Sequence, residues 1–373
     1  MKKSWEMLLS LCLVTALLLS LCACGEKEKG SSAAGTPAQA ALEPTAGLMI
    51  TPESTATPEP APKTAVGTGV CGDYKYEYYT DGTACITKYS DRETVVVIPS
   101  ELDGYPVTTI GDEAFSTCYS LTAVTIPDSV TAIGDQAFIG CRSLTAVTIP
   151  DSVTTIGDYA FSFCYFLTAV TLPNSVTMIG DRAFYCCKFL TSVTIPDGVT
   201  TIGVNPFACC EKLVEINVSP EHPTFAVLDG VLFEKAKKRL VTYPCAFTAA
   251  EYSIPQGIEE IGGYAFSDCT LTSVTIPDSV TTISDGAFIG CTSLTAVTIP
   301  DSVTTIGNDA FYSCDSLTAV TIPDSVTAIG KDAFADCPNL TLTVPRDSYA
   351  AQYCKDNGLA YQYPDANLDW LLN

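Results

Sequence analysis

Residues 121–143 read LTAVTIPDSVTAIGDQAFIGCRS, and Leu144 opens the same phrase again. The isoleucine of the Ile-Gly step, Ile-Ser at Ile283, recurs at Ile110, Ile133, Ile156, Ile179 and Ile202 with a period of 23, then at Ile261, Ile283, Ile306 and Ile329, making nine units. The long step from Ile202 to Ile261 marks an insertion, and the step to Ile283 is shortened by a deletion near Thr270. A unit this short cannot bury an apolar face by itself, so neighbouring units must stack into a repeat solenoid.

Within one unit, Leu121, Val124 and Ile126 follow the L-x-x-L-x-L spacing of a leucine-rich-repeat strand and are expected inward. Pro127 cannot donate to a parallel ladder and ends the strand, while Asp128-Ser129 supply turn chemistry. Val130 and Ile133 then return to the interior. Gly134 permits a sharp bend, and Ala137-Phe138 fill the centre from a short helical or irregular segment. The expected architecture is a parallel stacked sheet, one strand per unit at about 4.8 Å spacing, with capping elements and one inserted hairpin module.

The phrase L-T-x-V-T-I-P-D-S-V-T-x-I-G-x-x-A-F-x-x-C resembles the BspA-like, or treponemal-type, leucine-rich-repeat surface proteins, over about residues 74–363. Tyr79-Thr80-Asp81-Gly82, Val97-Ile98-Pro99 and Gly104-Tyr105-Pro106-Val107 resemble that family's N-terminal cap. Asp229 to Phe233, Leu240 to Pro244 and Ile254-Pro255 resemble its hairpin module, and Ser348 to Gly358 its closing helix. Better-known horseshoe repeats place Asn or Cys three residues after the strand, where this chain has Ser129 before the core residue Val130. The resemblance implies a non-enzymatic bacterial surface protein engaged in adhesion to host matrix proteins or to other cells. It implies no particular ligand.

At the N-terminus, Met1-Lys2-Lys3 precede an apolar run from Met7 to Leu21, too short for a stable membrane span, which reads as a secretory signal. Leu21-Cys22-Ala23-Cys24-Gly25 is similar to a bacterial lipobox and implies Cys24 as the lipid attachment; the alternative is an ordinary signal peptide with an incidental cysteine. From Gly25 to about Gly69 the chain is Ala, Thr, Pro, Ser, Gly and Glu, with too few large apolar residues for a core. Such a tether spans on the order of 35 Å as a coil and ~130 Å in a polyproline form. The expected organisation is a lipoprotein signal peptide over residues 1–23, lipidated Cys24 and tether over 24–68, an N-terminal cap over 69–109 and repeats over 110–215. An inserted β-hairpin module over 216–255, repeats over 256–343, and a cap helix and tail over 344–373 complete it.

Forty-two acidic against 19 basic side chains give a net charge of −23, which leaves no cationic stripe for nucleic acid. His222 is the single histidine, so a His-rich zinc site and paired imidazole catalysis are excluded. Nucleotide loops, H-E-x-x-H and G-x-S-x-G are all missing from the sequence. Aspartates form two columns, Asp128, Asp151, Asp197, Asp278, Asp301 and Asp324 at the Pro-Asp turn, and Asp112, Asp135, Asp158 and Asp181 after Ile-Gly. Two readings stand, a calcium ladder or turn capping on a solvated edge. The repeat gives every carboxylate the same surroundings, so none is set apart as a catalytic acid. No catalytic residue, cofactor or metal is expected.

Nine of the 18 cysteines share one repeat position, from Cys118 through Cys141, Cys164, Cys187 and Cys210 to Cys337. Equivalent side chains on stacked coils point in parallel, so these read as buried thiols packing as small hydrophobes. Two candidate disulfides remain, Cys186 with Cys209, one position before the ladder, and Cys71 with Cys85, flanking the cap.

Outward strand positions form two uniform columns, Ala123, Ala146 and Ala169 beside Thr125, Thr148 and Thr171, a small neutral face that suits either an extended ligand or simple strand packing. The repeats differ most where Phe163, Tyr165, Phe166, Tyr185 and Phe189 replace small residues. This patch is the candidate protein-binding site, the alternative being packing against the hairpin module. The expected partner is an extracellular or host-surface protein, with membrane contact through the lipid anchor only. A structural or variable surface antigen and a glycan-binding accessory protein are the competing readings, the latter supported by Tyr74, Tyr76, Tyr78 and Tyr79.

Overall fold

Each unit contributes two short parallel strands, where the sequence pattern showed one. In the computed structural model, which describes residues 63–90 and 92–364, Ala146–Thr148 pairs in parallel with Ala123–Thr125 on one side and Ala169–Thr171 on the other. That sheet carries the exposed Ala and Thr columns and turns Val124, Val147 and Val170 inward. A second sheet is built from two-residue strands: Thr155–Ile156 pairs with Ala132–Ile133 and Met178–Ile179. Strands of two residues carry no alternation to read, which is why the sequence hid this sheet.

The Ala-Phe segment is a pair of tight turns rather than a helix. All but one of the units place two residues in the left-handed region, for example Gln136 (φ 56°) and Gly140 (φ 72°), or Tyr159 (φ 55°) and Phe163 (φ 59°). Their amides reach the next coil: Gln136 N donates to Asp158 O at 2.7 Å and Gly140 N to Ser162 O at 2.8 Å. This side of the solenoid is therefore laddered by backbone hydrogen bonds as the sheets are, which offsets the strain of non-glycine residues at positive φ.

Phenylalanine fills the centre. Phe115, Phe138, Phe161, Phe184 and Phe207 are buried and stack nearly parallel at 5.0–5.8 Å between centroids. The stack restarts as Tyr243, Phe266, Phe288, Phe311 and Phe334 at 4.9–5.2 Å. Tyr89 closes the first series at 5.0 Å and Tyr353 closes the second edge-on at 6.5 Å.

Between the two stacks lies the inserted module. Strands Phe225–Leu228, Val231–Glu234 and Arg239–Thr242 pair antiparallel, and Arg239–Thr242 then pairs in parallel with Glu260–Ile261. Residues 231–234 are all buried, because the hairpin presents a different face to each side. Strand alternation sends Leu232 and Val241 into the first core and Phe233 and Leu240 into the second. The hairpin is a partition wall with two apolar faces.

At the N-terminal end, β1 (Ala65–Cys71), β2 (Tyr74–Tyr79) and β3 (Ala84–Tyr89) form an antiparallel meander whose last strand joins the stack through Tyr105–Ile110. The cap thus starts at Ala65 and not at residue 69, since Gly67 and Gly69 let β1 lie directly on the Tyr78 and Tyr76 rings. A Cβ at Gly69 would fall 2.3 Å from the Tyr76 ring. The signal segment, Cys24, the tether through residue 62 and residues 365–373 lie outside the described residues. The other end is closed by α1 (Tyr349–Asn357), capped by Ser348, whose hydroxyl accepts from Ala351 N at 3.1 Å, and ended by Gly358 at φ 66°.

Candidate functional site

Most of the recurring polar groups serve the stack itself. From Cys141 onward the ladder thiols donate to the carbonyl of the spine aromatic one coil back, as in Cys141 to Phe115 at 3.2 Å, Cys164 to Phe138 at 3.3 Å and Cys314 to Phe288 at 3.2 Å. Burial raises the Cys164 thiol and lifts those of Cys187 and Cys210 well above their ordinary value, so they stay protonated donors. The hairpin module supplies a rung that the repeat period does not reveal. Cys245 Sγ donates to Ser267 O at 3.2 Å beside Cys269 and carries the ladder across the insertion.

The second aspartate column is likewise structural. Asp112 Oδ1 accepts from Asp135 N at 2.9 Å, Asp135 from Asp158 N at 2.8 Å and Asp158 from Asp181 N at 2.6 Å. Glycine precedes each because the preceding coil lies against it: a Cβ at Gly157 would meet Asp135 Oδ1 at 2.4 Å and its backbone N at 2.7 Å. No group of three metal-ligating side chains converges among the described residues. His222 is buried, with Nδ1 accepting from the amides of Thr224 and Phe225, both at 3.1 Å, and Nε2 at 3.1 Å from Pro196 O. The single imidazole thus ties the module to the coil below it.

The candidate disulfides fare differently. Cys71 pairs with Tyr74 of β2, and Cys85 with Glu77, so β2 lies between the two cysteines and their partners are three residues apart along it. That spacing exceeds the ~7 Å Cα limit for a bridge, so the expected closure of the cap by Cys71–Cys85 is corrected by the strand register. Cys186 and Cys209 occupy left-handed positions one coil apart and are thiols, Cys209 Sγ lying 2.7 Å from Asp268 Oδ2. The tyrosines of the cap are also used internally: Tyr76 is buried and donates to Asp103 at 2.7 Å, and Tyr78 stacks on Tyr105 at 4.7 Å.

One edge carries side chains that the stack does not need. It follows the ladder cysteines, and its residues there in coil order are Tyr119, Arg142, Tyr165, Lys188 and Glu211. The Arg142 guanidinium lies 5.2 Å from the Tyr119 ring and 5.6 Å from the Tyr165 ring, held between them. Lys188 Nζ lies 5.7 Å from the same Tyr165 ring and 2.5 Å from Glu211 Oε1. In the adjoining column Phe166 and Phe189 stack at 5.1 Å with 50% and 45% of their surface exposed. Phe163 and Tyr185 are half-buried beneath, edge to face at 5.3 Å. Glu113, Gln136, Arg142, Phe163 and Tyr165 contribute to a shallow depression of about 340 Å³ beside this row. The five aromatic residues singled out in the sequence therefore meet in one surface. Tyr119, Arg142 and Lys188 belong with them, and stacking of columns one period apart was the signal that places them there.

A solenoid with this repeat, phenylalanine spine and hairpin partition defines a leucine-rich-repeat protein. A family model for the BspA type leucine rich repeat region matches residues 108–236 and 243–353 in six copies, and the chain belongs to that family. Among solved structures it resembles a leucine rich cell surface protein from Faecalibacterium prausnitzii, with 30% identity over 80% of this chain and 98% of that one, TM-score 0.54. A leucine-rich-repeat protein from Eubacterium ventriosum is similar at 28% identity, covering 76% of this chain and 78% of that one, TM-score 0.60. The pneumococcal vaccine antigen PcpA matches at 26% identity over 74% and 81% of the two chains, TM-score 0.58. No curated protein matches the chain. Proteins of this family are surface-associated, and its solenoids are typically non-enzymatic. Among the described residues no helix is long and apolar enough to cross a membrane.

Proposed function

We propose that this protein is a cell-surface binding module, a solenoid displayed on a tether lipid-anchored at Cys24 on the outer face of a bacterial membrane. Its cationic-aromatic edge engages an extracellular protein of a host or neighbouring cell. The observation that carries the reading is that Tyr119, Phe166 and Phe189, the exposed aromatic residues of the repeats, gather on one edge at positions where other units use mostly Ser, Thr, Gly and Asp. Tyr, Phe and Arg on a rigid frame are the composition of an interface centre, and the half-exposed Phe166–Phe189 stack is unprotected apolar area. The lipobox at Cys24 and the tether supply display. A glycan-specific role draws less support, since the cap tyrosines that suggested it pack within the cap.

The test is binding of the folded unit, residues 61–373, to immobilised matrix proteins and glycans, with a Phe166→Ala/Phe189→Ala variant alongside. Saturable binding to a protein, weakened at least tenfold in the variant, supports the reading. Binding that the variant leaves unchanged removes the edge from it.

A further inference from the structure

The edge is polarised in charge along its length. In the first half it carries Arg142, Lys188 and Lys212 against Glu211, whereas the same edge in the second half carries Asp268, Asp315 and Asp336. Arg142 and Asp315 are both exposed, and neither makes an ion pair among the described residues. Arg142 is held in place by its two tyrosines while its charge remains uncompensated.

The ladder cysteines number the rungs of this edge, and its midpoint falls between Cys210 and Cys245, with five rungs on either side. A two-fold axis through that midpoint brings a second copy antiparallel along the edge. Arg142 then faces Asp315, each one residue after its ladder cysteine, and Tyr119 faces Pro338. This oppositely charged pair occurs twice under the one symmetry operation. Phe166 faces Ser293, small enough to admit the ring. A parallel in-register pair would instead set Arg142 against Arg142.

From this complementarity we infer that the partner of the edge is a second copy of this chain, in a closed antiparallel pair of about 45 Å contact length. The inference rests on the reading of this edge as the interaction surface, and it names the occupant. It also places the two N-terminal caps at opposite ends, as required for copies displayed from facing surfaces.

Sedimentation equilibrium on residues 61–373 at physiological salt tests it. The expected result is a reversible monomer–dimer equilibrium that Arg142→Asp weakens at least tenfold, that Asp315→Arg weakens equally, and that the double swap restores. Both side chains are exposed, so an unchanged melting temperature separates loss of pairing from loss of fold. A monomer at every loading up to about 200 µM, or a dimer indifferent to both reversals, overturns the inference. The partner-panel experiment is independent of this outcome, because binding of a foreign protein at Phe166 and Phe189 survives the absence of self-association.

Discussion

The two halves of the solenoid, on either side of the hairpin partition, are nearly the same protein inside and different proteins outside. Phe161 and Phe288 are equally buried, stack on neighbours at 5.1 and 4.9 Å, and have carbonyls that accept from a ladder thiol. On the edge above them, the first half carries Tyr165, Phe166, Lys188 and Phe189 and the second carries Thr292, Ser293, Asp315 and Ser316. The difference teaches which positions are constrained by stacking and which are free for recognition. An interior column must present the same shape to the coils on both sides, whereas an edge residue answers only to solvent and to a partner.

If the interiors are equivalent, alkali should dissolve both halves together, and this is the largest effect expected. The buried thiols of Cys164, Cys187, Cys210 and Cys291 have folded-state values raised by burial above the ordinary 9.0. Below about pH 9 both states hold these protons, and the stability is fully present. As pH rises further the unfolded chain releases protons that the folded chain keeps, so stability falls. The melting temperature should be level from pH 7 to about pH 8.5 and drop steeply beyond, in one transition. A level profile to pH 11 would show that the thiols are not buried donors.

Next in size, Phe161→Ala and Phe288→Ala should each lose about 3–5 kcal/mol in denaturant unfolding, since each removes a ring packed on both faces. Losses differing by more than about 2 kcal/mol would break the equivalence of the halves. The seam between them is where they should come apart. Asn205 is buried there, accepting from Thr242 Oγ1 at 2.7 Å and Phe207 N at 3.1 Å while donating to Tyr264 O at 2.7 Å. Asn205→Ala should cost about 1–3 kcal/mol by leaving these groups unpaired. It should also split a single unfolding transition into two, which hydrogen exchange would localise to the residues on either side of the module. The smallest effect belongs to the edge: Phe166→Ala/Phe189→Ala should change stability by less than about 0.5 kcal/mol for each half-exposed ring.

Repetition made the interior legible in the sequence. The period of 23 identified the solenoid, the inward Val and Ile, the phenylalanine spine and the thiol column, because a residue that recurs once per coil has one environment to satisfy. What escaped notice lacked either periodicity or length. The two-residue strands at Ile133 and Ile156 are too short to alternate, and the turn pair around Phe138 needs left-handed residues that Gln136 does not announce. Cys245 sits off the period because the hairpin resets the count, and the Cys71–Cys85 pairing failed because register across β2 is invisible in a linear sequence. In the edge site, the aromatic residues stood out against the repeat. Arg142 and Lys188 did not, since a lone cation in one unit looks ordinary until stacking sets it between the tyrosines of its neighbours.

The most direct measurement is surface plasmon resonance of residues 61–373 against one matrix protein found to bind. It uses two matched variants, Phe166→Ala/Phe189→Ala on the first-half edge and Thr292→Ala/Ser316→Ala on the second. Affinity lost at least tenfold in the first variant and retained in the second is the expected result, both proteins melting as the parent does. Equal affinity in the two variants would contradict the assignment of recognition to the first-half edge.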